Sequence, residues 1–268
     1  MPDGAPTESL LLRADDGGVA TLTLNRPAQL NALSEELLTA LQAEFDRLAA
    51  DPSIRVVVLR AAGRAFCAGH DLRQMQAARR AEDGGRAYFT ALFAQCARMM
   101  TTIRLLPQPV IAQVHGLATA AGCQLVASCD MAVASTEATF GVNGVNIGLF
   151  CSTPMVALTR AMPAKQVFEM LTTGDFIDAD RAAALGLVNR VAAPDALAEE
   201  TRALADKVAA KLAVAVRIGK RAFYEQAEMP LDAAYAHTGR VMAENMLHRD
   251  TAEGVAAFIE KRKPDWSR

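Results

Sequence analysis

Two short apolar runs constrain the fold of this chain more than any other feature. "VVVL" (residues 56–59) and "VIAQV" (110–114) are too short for helices and almost lack the polar alternation of a half-exposed strand. A strand reads this way when both of its faces are covered, as in a parallel sheet with helices packed against it. Each run passes into small and glycine residues and then into sequence that suits a helix start: "AAGRAFCAGHDL" (61–72) and "HGLATAAGCQL" (115–125). The expectation is an α/β protein.

The rest of the pattern agrees. "VATLTL" (19–24) reads as a strand stopped by Asn25-Arg26-Pro27. Ser34 is placed to cap a helix whose first turn carries Glu35 and Glu36, favourable at the positive end of the dipole. Leu37, Leu38, Leu41, Phe45 and Leu48 recur behind it at helical spacing, and Asp51-Pro52 ends the element. Residues 88–103 suit a helix and 131–134 a further strand. Gly186 is read as a helix C-cap before a short strand over 187–191. Helices are expected over 196–210, 214–227, 231–247 and 251–261. The division is a core over 1–200 and a C-terminal helical region over 201–268 that is not an independent domain.

Composition excludes several roles. A chain of 268 residues is long for one domain, yet it has no Gly/Ser-rich linker or low-complexity tract at which to divide. A net charge of −2 gives no pull on nucleic acid or anionic membranes, so neither is expected as a partner. No apolar run approaches the roughly 20 residues of a membrane helix. Residues 1–10 lack a basic segment followed by an apolar core, so the expected location is cytoplasmic. The five cysteines are odd in number and never spaced as C-x-x-C, which favours buried thiols over disulfides or a metal site. The four histidines are scattered, and no metal is expected.

The two strand-to-helix junctions are where chemistry would sit. Small residues let a ligand approach the backbone, and a helix start offers N–H groups without intrahelical partners. Two junctions facing each other would aim two donors at one oxygen, an oxyanion hole. The plainer alternative, two tight turns, stays open on spacing alone.

Five motifs then occur in a recognisable order: "NRPAQLNALS" (25–34), "GRAFCAGHDL" (63–72), "HGLATAAGCQLVASCD" (115–130), "ATFGVNGVNIGLF" (138–150) and "AFIEKRKPDW" (257–266). Together they resemble the enoyl-CoA hydratase/isomerase, or crotonase, superfamily across nearly the whole chain. "FCAGHDL" with "GLFCSTP" (148–154) narrows the resemblance to one branch within it. The resemblance implies a spiral of ββα units with a C-terminal helical region, assembled as a homotrimer or dimer of trimers. It also implies an acyl-CoA thioester ligand, with coenzyme A entering as part of the substrate and no tightly bound cofactor.

Carried over by position, the resemblance makes the backbone N–H groups of His70 and Ala121 the oxyanion donors. Ala121 stands where many relatives have a glycine, and alanine dislikes positive φ. Ala68, Asp71 and Leu72 fall at coenzyme-binding positions, with Ala68 against the adenine and Asp71 read as holding the loop. Phe258 and Lys261 match positions from which the last helix contacts coenzyme A, although Lys261 in "EKRK" also reads as a solvated helix end. A basic residue common after Asn-Arg-Pro is Ala28 here, and Arg26 is the available substitute. Gln124 and Gly144 stand where active hydratases carry two glutamates. Glutamine cannot accept a proton at neutral pH and glycine has no side chain. The usual hydration mechanism is therefore expected to fail, and Gln124→Glu with Gly144→Glu to restore about tenfold or more. The His70 ring is read as packing, with a chemical role as the alternative. Glu137, Asn143, Asn146 and Cys151 receive no catalytic role. Three classes remain: an acyl-CoA-processing enzyme acting by hydratase, decarboxylase or hydrolase chemistry, a catalytically weak acyl-CoA binder, and an RNA binder. The first helix carries Glu35, Glu36, Glu44 and Asp46 against Arg47 alone, which repels phosphate and sets the third aside.

Overall fold

The computed structural model describes residues 9–266. The expectation for the N-terminus rests mainly on residues 1–8, outside the described residues. The strands are β1 (Leu11–Asp16), β2 (Val19–Leu24), β3 (Val56–Ala61), β4 (Ala65–Cys67), β5 (Val110–Val114), β6 (Leu117–Thr119), β7 (Met131–Ser135), β8 (Thr139–Gly141), β9 (Phe176–Asp178) and β10 (Arg190–Ala192). The helices are α1 (Glu35–Ala49), α2 (Leu72–Ala78), α3 (Arg86–Leu105), α4 (Ala121–Ser128), α5 (Ser152–Ala161), α6 (Ala164–Thr173), α7 (Ala179–Ala184), α8 (Leu197–Ala209), α9 (Ala213–Gln226), α10 (Leu231–Leu247) and α11 (Arg249–Ile259). They form two sheets, ordered β1-β2-β3-β5-β7-β10 and β4-β6-β8-β9.

One unit generates this arrangement by repetition. β3, β5 and β7 each lay a strand in the large sheet, and the next strand (β4, β6 or β8) enters the small sheet. Helical chain follows each pair, which makes a ββα spiral. The apolar runs behave as their composition requires. Val57 and Leu59 face the main core with Leu37, Leu41 and Phe45 of α1. Val56 and Val58 face the other way, onto Leu197, Leu204 and Ala205 of α8. Burying each such Leu or Phe stabilises by about 1.5–3 kcal/mol, so a polar residue on either face is costly.

Ser34 caps α1 as expected, its Oγ accepting from the Leu37 N–H at 3.3 Å. The short strand expected over 187–191 is instead β10 at 190–192, because Gly186 (φ +89°) follows α7 and the chain turns before pairing with β7. Residue 200 falls inside α8, which packs on the large sheet. α9 is fixed to the core by a buried lysine. Lys220 Nζ donates to the carbonyls of Ile103 and Gln108 at 2.9 Å and to Asp130 Oδ2 at 2.7 Å. Asp130 also accepts from the Val110 N–H and the Tyr224 hydroxyl, so its charge is fully engaged.

All five cysteines are buried and unpaired, and burial pushes the thiols of Cys67, Cys96 and Cys123 up to about 12. Among the described residues no helix is long and apolar enough to cross a membrane.

Candidate functional site

β4, β6 and β8 run parallel, with Cys67 beside Ala118 and Thr119 beside Gly141. Their C-terminal ends therefore deliver Ala68–His70, Ala120–Ala121 and Asn143–Gly144 to one edge of the small sheet. Strand ends of this kind leave backbone groups facing a crevice. A cavity of about 320 Å³ lies there, lined by residues of all three junctions and walled by Leu72, Met75, Phe93, Ile147, Leu149 and Phe150. The two junctions read from the sequence do face each other, and the segment after β8 is a third.

The turn after β4 is held from outside. Arg26 and Asp71 form an ion pair at 3.1 Å, and a second guanidinium N–H of Arg26 donates to the Ala32 carbonyl. Asp71 Oδ1 also accepts from the N–H groups of Arg73 and Gln74, capping α2. Burial raises the Asp71 pKa, but the Arg26 guanidinium and the N–H groups of Arg73 and Gln74 together outweigh it and hold the carboxyl below its usual value. Asn31 is fully buried and joins the same clamp, its amide donating to the carbonyls of Ala62 and Ala65 at 2.8 Å. The motif 25–34 thus positions residues 62–71, with Arg26 making side-chain hydrogen bonds to Ala32 and Asp71.

Two backbone N–H groups belong to residues that line the cavity, His70 and Ala121. Leu33 donates to the Gly69 carbonyl and accepts from the Asp71 N–H, so the N–H of His70 points away from Leu33. Ala121 is the first residue of α4, and its N–H lacks an intrahelical acceptor. Among the described residues neither N–H has a hydrogen-bond partner. The two junctions approach closely: a Cβ placed on Gly69 would lie 3.5 Å from the Ala121 nitrogen. The conformational strain expected at Ala121 falls one residue earlier, at Ala120, whose φ of 50° and ψ of −120° belong to glycine's territory. Relief is measurable: Ala120→Gly is expected to stabilise by about 1 kcal/mol, read as a rise in Tm. A fall in Tm would mean that the alanine methyl contributes more by packing than its backbone costs.

Two glycines set the shape of the site. A Cβ on Gly122 would stand 2.1 Å from the Cys67 carbonyl oxygen, so only glycine lets α4 approach β4 this closely. A Cβ on Gly144 would stand 2.2 Å from the Leu149 carbonyl oxygen and 2.8 Å from Cys151 Sγ. The Gly144 carbonyl in turn accepts from the Leu149 N–H, closing the turn over that position.

The expected site residues divide into two groups. Ala68, His70, Leu72, Ala121 and Gly144 line the cavity. Gln124 lies one turn along α4 from Ala121, 4% exposed, with its Oε1 buried and unpartnered and no share in the cavity wall. Phe258 on α11 is 86% exposed, and Lys261 lies just past the end of that helix at φ 54°, both apart from the cavity within one chain. The His70 ring stacks edge-on against Phe93 with centroids 5.6 Å apart, and neither ring nitrogen makes a well-formed hydrogen bond. Burial lowers its pKa, opposed only in part by the nearby Leu33 carbonyl, which favours the neutral ring. Phe93 was not singled out from the sequence, since an aromatic residue on a helix face carries no motif. Among the described residues no group of three or more His, Cys, Asp or Glu side chains is placed to hold a metal.

The protein is thus of the class of alternating two-sheet α/β folds with unpartnered N–H groups at the ends of parallel strands. Comparison with known proteins identifies it. The family model for enoyl-CoA hydratase/isomerase matches residues 14–268. Enoyl-CoA hydratase domain-containing protein 3, mitochondrial, of Xenopus laevis is 45% identical over 258 residues, 96% of this chain and 86% of that protein. The human protein of the same name is 45% identical over 250 residues, 93% of this chain and 81% of its own. A crystal structure of an enoyl-CoA hydratase of Mycobacterium smegmatis has a TM-score of 0.93 at 56% identity, covering 97% of this chain and 100% of that one. The structure of the human domain-containing protein 3 has a TM-score of 0.92 at 43% identity, covering 96% and 100%. The chain belongs to the enoyl-CoA hydratase/isomerase family and has its crotonase-like fold. The domain-containing protein 3 group is the branch indicated by "FCAGHDL" and "GLFCSTP". Its vertebrate members are named as mitochondrial, a compartment that the cytoplasmic expectation does not share.

Proposed function

We propose that the protein binds a coenzyme A thioester with the acyl group in the cavity and the carbonyl oxygen between the N–H groups of His70 and Ala121. The observation that supports this reading is a pair of unpartnered N–H groups on residues that line one largely apolar hollow. Such donors stabilise the oxyanion of an enolate more than the neutral carbonyl, by roughly 3–4 kcal/mol each. Among the described residues no aspartate or glutamate lines the cavity, so none of their carboxylates stands ready to take a proton from water or carbon. Gln124 and Gly144, at the positions of the two hydratase glutamates by resemblance, fit that picture. The protein is on this reading a thioester binder that polarises a carbonyl without an acid–base pair.

A second reaction is compatible with the same wall. Among the described residues no lysine or arginine lines the cavity to neutralise an acyl group bearing a β-carboxylate, and its polar lining is uncharged side chains such as Thr119, Asn143, Ser152 and Thr153. Desolvating that carboxylate favours breaking its bond to the α-carbon. Carbon dioxide leaves, the electron pair passes to the thioester oxygen held by the two N–H groups, and water then supplies a proton to carbon.

The assembly proposed is a homotrimer or dimer of trimers, in which α11 of one subunit brings Phe258 and Lys261 to the coenzyme of the next. The exposure of Leu231, Tyr235, Leu247, Phe258 and Ile259 on α10 and α11 supports a protein-covered face there. Calorimetric and thermal titration with acetyl-, crotonyl- and longer acyl-CoA tests the binding. A hundredfold excess over Kd should stabilise the fold by about 2.7 kcal/mol. Lys261→Ala should weaken binding while Gln124→Ala leaves it intact. No binding at millimolar thioester would refute the proposal.

A further inference from the structure

A second hollow lies beside the acyl cavity. It measures about 380 Å³, opens to solvent, and is lined by Asp83, Gly84, Arg86, Phe89, Thr90 and Phe93. Phe93 is the one residue that lines both hollows. It stands on α3 one turn beyond Phe89, so the two rings share a face of the helix. The Phe93 ring is braced on the cavity side by the edge of the His70 imidazole at 71°. His70 is also the residue whose N–H faces the cavity, so the ring closes the space next to the place assigned to the thioester carbonyl.

We infer that Phe93 sets the acyl-chain length this protein accepts, acting as a single-ring partition between the inner cavity and the outer hollow. The inference rests on the thioester reading above. An acyl chain that leaves the inner cavity toward the outer hollow meets the Phe93 ring, which lines both. Beyond the ring there is room: Phe89 offers an apolar surface, and a Cβ on Gly84 would meet nothing within 4 Å. With the ring in place, additional methylenes find no burial, and short acyl groups are preferred. A smaller side chain at position 93 joins the hollows and lets each added methylene contribute, at about fourfold in affinity apiece.

The experiment measures Kd for crotonyl-CoA and decanoyl-CoA by calorimetry on the full chain and on Phe93→Ala and Phe93→Leu. The native chain is expected to bind decanoyl-CoA no more tightly than crotonyl-CoA. Phe93→Ala should tighten decanoyl-CoA by about tenfold or more with less than about threefold change for crotonyl-CoA, and Phe93→Leu by a smaller factor. Adding Thr90→Trp, which fills the outer hollow from an exposed helix position, should cancel the gain. Phe93→Leu keeps an apolar, helix-compatible residue and serves if the alanine variant melts too low to titrate. If crotonyl-CoA binds and the ratio of the two constants is unchanged in both variants, the partition is overturned. A native chain that already prefers decanoyl-CoA overturns it equally. A native chain that binds neither thioester refutes instead the reading on which it rests.

Discussion

Crotonyl-CoA is expected to be hydrated at less than about 0.1 per second, some hundredfold below the roughly 10 per second of a typical enzyme. Hydration needs a group to take a proton from water and a group to return one to carbon. Among the described residues the cavity offers no carboxylate for either step, and the His70 ring, whose pKa burial lowers, is a weaker base than a free imidazole. The structure also changes the expectation for repair. Gln124→Glu with Gly144→Glu is suggested by the sequence as a restoring pair, but position 144 has no room for a side chain. Its Cβ would overlap the Leu149 carbonyl, and the turn that would have to move is closed by the Leu149 N–H donating to Gly144. The double variant is therefore expected to hydrate no faster than the native chain. A stopped or coupled assay at saturating crotonyl-CoA decides both points: turnover near 10 per second in the native chain, or a tenfold gain in the double variant, would contradict this account.

Gly122→Ala is expected to have the largest effect on stability, at least about 3 kcal/mol. The added methyl would lie 2.1 Å from the Cys67 carbonyl oxygen, a contact of backbone with backbone that no rotamer change relieves. For a chain of this size the loss corresponds to a Tm lower by roughly 6–12 °C. Function should fall with it, because moving α4 off β4 moves the Ala121 N–H away from that of His70. A Tm within about 2 °C of native would mean that the helix shifts cheaply and that the close approach is not obligatory.

Much of the fold is legible in the sequence where local pattern carries it. Continuous apolar runs announce strands covered on both faces, and α1 and α8 do cover β3. Ser34, followed by two glutamates and a leucine ladder, announces a capped helix, and α1 begins where the cap predicts. The strands of the small sheet, three residues each, carry no readable period, and β1 is too exposed to show one. The site is legible in part: small residues after two strands suggest backbone donors, and His70 and Ala121 meet at one cavity. Gln124, one turn along α4 from Ala121, is buried, and nothing local in the sequence announces that burial.

The sequence by itself determined the alternation of strands and helices, the capped first helix, the family and the absence of a carboxylate at two positions. These follow from residue type and spacing, which act over one or two turns of chain. Only the tertiary structure decided that three strand ends share one edge and that the strained backbone lies at Ala120. It alone reserved the space at Gly144 for the Leu149 carbonyl and placed Phe93 between two hollows. Each of these is a close approach between segments far apart in sequence, and its distance is fixed by packing across the whole core.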